Sequence, residues 1–209
     1  MIYINLLGVL IISILLVFKL NYLIRKIQGK DGSFANVLKT IYGWPIAAIF
    51  GAISILLLYV YEVPGYYIQL ADLILTLIII AVYDAKWRII PNCITVSFLI
   101  SQLAAVFCLT QSYIDIWNTL ISVAILLVLA FVSKISKEEL GMGDVKLIAA
   151  INLIYGLSFT MYSLLLTLII MLVFSVPLLI MKKLKMKSQL PFAPFHLIGV
   201  SMYIILNLI

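Results

Sequence analysis

Long apolar runs, broken by short polar stretches, set the layout of the chain. Residues 1–24 are apolar apart from Asn5, Lys19 and Asn21, with neither a basic segment before them nor a small-residue cleavage site after them. They are expected to stay as a first membrane span rather than be removed as a signal peptide. The stretch 25–39 carries Arg25, Lys26, Lys30 and Lys39 against Asp31 and reads as a loop. A second span is expected over 41–61, with Trp44, Tyr59 and Tyr61 near its ends as interfacial anchors. Glu62-Val63-Pro64-Gly65 turns the chain into a third span over 67–83, and 84–92 leads into a fourth over 92–110. After a turn at 111–116, a fifth span is expected over 117–133.

The next apolar run is the most informative. Residues 147–181 hold no charged side chain, and about 35 residues are too many for one crossing of ~20. The run must fold back once, and Gly156-Leu157-Ser158 is its weak point. The first leg, 144–156, is then only ~20 Å long, short of a ~30 Å hydrocarbon core. Gly141 and Gly143 precede it, and a glycine loop at such depth points to a cavity lined by protein or water. A basic stretch at 182–187 and a last span ending at Ile209 complete the chain.

Composition agrees with this layout: 66% hydrophobic and 11% charged residues, with a mean hydropathy of +1.26, exclude a soluble domain. The fold class is an all-α polytopic membrane bundle of about eight transmembrane helices. It reads as a single polytopic domain over 1–209, with a two-span part at 1–66 and a six-span core at 67–209. The net charge of +6 does not imply nucleic acid, because the 14 lysines and arginines are spread through short loops. They fall in the loops at 25–39, 84–92, 134–143 and 182–191 or, for Lys19 and Lys146, close to them. Glu62, Asp72 and Asp115 are assigned to the opposite face. Such a bias places those four loops in the cytoplasm and both termini outside the cytoplasmic membrane. Lys182, Lys183, Lys185 and Lys187 are expected to contact anionic lipid headgroups. Cys93 and Cys108 lie in one apolar segment at a spacing that suits neither a disulfide nor a zinc site, and read as packing residues.

Parity then brings two acids to one side. Asp84 and Asp144 are separated by two crossings, so both return to the cytoplasmic face at helix ends, whereas Asp72 lies ~18 Å of helix away from Asp84. Facing carboxyls in a low-dielectric site cannot both ionise cheaply and share a proton. The ionised partner can take a proton from water while the neutral one polarises a carbonyl, with no metal or other cofactor. The alternative at each position is a helix cap; Asp144 suits that role, but Asp84 follows its helix, where a carboxylate opposes the dipole.

Asp84 followed by Pro91-Asn92, and Gly141-Met142-Gly143-Asp144-Val145-Lys146, resemble the two motifs of the type IV prepilin peptidases, intramembrane aspartic proteases of the Gly-x-Gly-Asp class. Leu190-Pro191-Phe192-Ala193-Pro194-Phe195 is similar to a late segment of the same family. The resemblance covers roughly 67–209. It implies removal of the short basic leader of pilin-like precursors, after a glycine and before a hydrophobic helix, with Asp84 and Asp144 as the catalytic pair. Longer members carry a cytoplasmic domain with paired Cys-x-x-Cys motifs and methylate the new N-terminus. Here the corresponding loop is 25–39, without cysteine, so methylation is not expected.

Glu138 and Glu139 are placed to attract a basic leader, or are simply solvated. Lys146 reads as snorkelling and His196 as a packed or hydrogen-bonded residue. A proton- or ion-coupled transporter is the competing function, since intramembrane acids and a glycine-broken helix also mark ion pathways. A carrier would hold its acids near the midplane of related halves, which this sequence does not show. The topology is testable with single cysteines in a background lacking Cys93 and Cys108. A cysteine at Ser112 should react with an impermeant thiol reagent in intact cells, and cysteines at Ser33 and Ser188 should not. Labelling at Ser188 would mean that 144–156 is re-entrant.

Overall fold

The computed structural model describes residues 2–27, 43–59, 64–110, 116–135, 141–181 and 190–208. Among these, all regular structure is helical: α1 (Ile2–Ile27), α2 (Gly43–Tyr59), α3 (Gly65–Trp87), α4 (Asn92–Ala105) extended by a π-helical turn (Val106–Thr110), α5 (Ile116–Ile135), α6 (Met142–Ile180) and α7 (Phe192–Leu208). Four stretches, Ile4–Ile27, Gly65–Trp87, Asn92–Thr110 and Met142–Ile180, are long and apolar enough to cross a membrane. Helices satisfy their own backbone where lipid cannot. The chain packs as two compact units, Met1–Ile79 with Pro91–Ile114, and Ile80–Ile90 with Asp115–Ile209.

In the first unit α1 packs on α2 and α4. Val9, Ile12, Ile68, Ala105 and Leu109 form a buried apolar cluster there. The same unit holds a polar knot. Asp72, assigned from sequence to an outer loop, lies within α3, and it and Lys19 are both fully buried. The Lys19 ammonium donates to Asp72 Oδ1 at 3.2 Å, Thr76 Oγ1 at 2.8 Å and Ser101 Oγ at 3.0 Å. Asp72 Oδ2 accepts from Ser101 Oγ at 2.7 Å and from Gln102 Nε2 at 2.9 Å. The ring of Phe98 lies 5.8 Å from the ammonium. Charge and hydrogen bonding are thus closed within the knot, which ties α1 to α3 and α4.

The second unit is organised by a reversal in α6. Gly156 adopts φ 81° and ψ 173°, a region open essentially to glycine alone. About 30 residues of straight helix would carry Phe174 roughly 45 Å from Asp144. Instead Phe174 packs on Phe195 with ring centroids 5.6 Å apart, Ala193 binds Asp84, and the charge of Asp84 acts on Asp144. Those contacts require the second leg of α6 to return alongside α7. The rings of Phe159 and Tyr203, 5.0 Å apart, mark the other end of the same antiparallel pair.

The knot in the first unit predicts strong coupling. Lys19→Met or Asp72→Asn alone should lower thermal stability in detergent by about 3–5 kcal/mol, because one buried group loses its counter-charge. The double variant should recover most of the loss. Strictly additive losses in the thermal midpoints would show that the pair carries no coupling.

Candidate functional site

Asp84 lies in the last turn of α3, which runs on to Trp87 rather than ending at residue 83. Its side chain is 6% exposed. The sequence leaves this carboxylate facing the unfavourable end of its own helix; the structure supplies a different helix. The amide of Ala193 donates to Asp84 Oδ2 at 2.9 Å. The amide of Phe192 acts on the same carboxylate, and the Arg88 guanidinium adds positive charge. Both amides belong to the first turn of α7, where backbone N–H groups have no partner within the helix. Pro194 in that turn has no N–H to offer. Beyond Asp84, the amide of Arg88 closes α3 by donating to the Asp84 carbonyl at 2.8 Å. Arg88 is left-handed at φ 55° and turns the chain out of the helix.

Asp144 lies in the first turn of α6, behind Gly141, which takes the extended N-cap position. The amides of Asp144 and Val145 donate to the Gly141 carbonyl at 3.0 and 3.2 Å. Each motif glycine provides clearance. A Cβ on Gly141 would lie 2.8 Å from Asp144 Oδ2, and a Cβ on Gly143 would lie 2.8 Å from the Cβ of Ile90. The Asp144 carboxylate therefore folds over Gly141. Gly143 lets the start of α6 press against the residues that follow Asp84. As a result the two carboxylates lie close enough for their charges to repel. An acid and a base side by side are what general acid–base attack by water needs.

The other residues singled out by sequence are distributed as follows. Pro91 is the N-cap of α4, its carbonyl accepting from the amides of Ile94 and Thr95 at 3.1 and 3.2 Å. Asn92, the first residue of that helix, is exposed, and Lys146 is half-buried in α6. Glu138 and Glu139 lie outside the described residues. Cys93 and Cys108 are free thiols. His196 is fully buried, with Nδ1 3.0 Å from Thr167 Oγ1. Because the Thr167 hydroxyl donates to the Ser163 carbonyl at 2.7 Å, the imidazole is the donor in that contact. Sequence reasoning missed the pairing of Lys19 with Asp72 and the amides that hold Asp84. The prolines at 191 and 194 were the only signal of the latter, as marks of a helix start.

No curated protein and no solved structure matches the chain significantly. A family model described as the type IV leader peptidase family matches residues 72–176, a stretch that includes Asp84, Asp144 and both motif glycines. With half of the chain matched by that model, and with its two motif aspartates brought together at adjoining helix ends, the protein belongs to the type IV leader peptidase family.

Proposed function

We propose that the protein is an intramembrane aspartic endopeptidase that removes the short basic leader of type IV pilin-like precursors at the cytoplasmic face of the membrane. Asp84 and Asp144 are its catalytic pair. The observation that carries this reading is the meeting of the two carboxylates in a leader peptidase chain. The ionised carboxylate takes a proton from water, and the water oxygen adds to the scissile carbonyl carbon. The carbonyl oxygen receives the proton of the neutral carboxyl. On collapse the carbon–nitrogen bond breaks, the nitrogen leaves with the proton first taken from water, and one hydroxyl of the gem-diol returns its proton to the carboxylate that had protonated the carbonyl oxygen. Asp84 and Asp144 supply every proton transfer in this scheme, with no cofactor.

In this reading the chain crosses the membrane about eight times with both termini outside. The basic leader then meets Glu138 and Glu139 on the same side as the pair. Lys146, Pro91 and Asn92 support the two motif segments. The product keeps a free N-terminal amine, because the loop 25–39 is too short to form a methyl-donor pocket and carries no cysteine.

Cleavage of a pilin-like precursor by the purified protein tests the pair. Asp84→Asn and Asp144→Asn should each abolish cleavage while the protein still inserts, because Asn keeps the size but cannot exchange a proton as a carboxyl does. The double variant should be no worse than either single one, since members of one catalytic unit are not additive. Asp115→Asn should stay active. Near-normal cleavage by Asp84→Asn would remove Asp84 from the mechanism. Mass spectrometry of the product, made in a host lacking other such enzymes, should show an unmodified amine; a product heavier by one methyl group would overturn that part of the proposal.

A further inference from the structure

We propose that the N-terminus of α7 is the positioning element of the catalytic pair: the N–H of Ala193 holds Asp84 by Oδ2, which makes Oδ1 the oxygen that takes the proton from water. This inference rests on the assignment of Asp84 and Asp144 as the reacting groups. Ala193 N–H reaches Oδ2 at 2.9 Å, and the Phe192 amide acts on the same carboxylate. An oxygen that already accepts an N–H bond is the poorer base of the two, so the incoming proton goes to the other. Pro191 and Pro194 flank the two amides and contribute no donor of their own. The segment therefore presents its N–H groups to one carboxylate, with the positive end of the helix behind them.

The amides are also fixed in place before any substrate arrives. One turn beyond Ala193, His196 donates through Nδ1 to Thr167 Oγ1 at 3.0 Å, and Thr167 donates to the Ser163 carbonyl at 2.7 Å. Phe192 stacks on His196 at 5.1 Å between ring centroids, and Phe195 packs on Phe174 at 5.6 Å. At Gly199 a Cβ would lie 2.8 Å from both the Ser163 carbonyl oxygen and the Thr167 nitrogen, so the backbones of α7 and the second leg of α6 are in contact there. A helix clamped at these points keeps its first amides aimed at Asp84 without reorganisation during the reaction. The role of His196 is then to hold the helix that holds Asp84.

Backbone replacement isolates the effect. Incorporation of lactic acid in place of Ala193 by nonsense suppression turns the 192–193 peptide bond into an ester and deletes one N–H. That group has no partner within the helix, so no helical hydrogen bond is lost. The ester protein should cleave a pilin-like precursor with kcat lowered about 10-fold or more, the loss expected for one hydrogen bond to a charged group, and KM within about twofold. Unchanged kcat, or a rise in KM that accounts for the whole loss of kcat/KM, would overturn the proposal. If the ester protein is too unstable to assay, thermal midpoints decide. The ester should destabilise the otherwise native protein more than it destabilises Asp84→Ala, and equal shifts in the two backgrounds would overturn the proposal. An active Asp84→Asn variant would instead remove the assignment on which it rests. Loss of activity in Asp84→Asn together with full activity of the ester protein would overturn the positioning role alone.

Discussion

A carboxylate buried among apolar helices must be supplied with donors or a counter-charge, and each unit of this protein is arranged around one such group. Asp72 receives a lysine, a serine and a glutamine, so both of its oxygens are committed. Asp84 accepts the Ala193 amide at one oxygen and has the charge of Arg88 near it, with the carboxylate of Asp144 close by. The first arrangement is saturated and holds helices in register. The second leaves two carboxylates near each other at helix ends, so residues of the same type have different surroundings in one chain.

Close approach of backbones makes the second arrangement possible. Gly143 lets the start of α6 touch Ile90, Gly141 leaves room for the Asp144 carboxylate, and Gly156 reverses α6 with a backbone conformation that side chains resist. The reversal returns the second leg of α6 to α7, and α7 in turn presents its first amides to Asp84. Each step depends on the one before it, so the geometry at the aspartates is a property of the α6–α7 hairpin and the end of α3 taken together.

The membership of the chain in the type IV leader peptidase family fits a site of this construction. Peptide hydrolysis by two carboxyls needs one proton held between them and a water molecule within reach. Both conditions are easier to meet at helix ends than within a span, where apolar neighbours exclude water. Asp144 is partly exposed and Asp84 is buried, so the pair has one wetter and one drier member.

Hydropathy alone determined the class of this protein and most of its helices. A run of apolar residues long enough to span lipid has few alternatives to helix, and the length of 147–181 together with Gly156 located the reversal in α6. Spacing pointed to Asp84 and Asp144 as residues of helix ends, and the structure has them there. The tertiary structure decided what those residues touch. Lys19 and Asp72 are 53 positions apart and Asp84 and Ala193 are 109 apart. A periodic pattern along one helix carries no information about a partner on another, so the sequence gives no sign that Lys19, close to a loop, is paired. The donors of Asp84 were hidden for a further reason: they are backbone amides, which every residue but proline possesses, and only the packing of α7 brings them to the carboxylate.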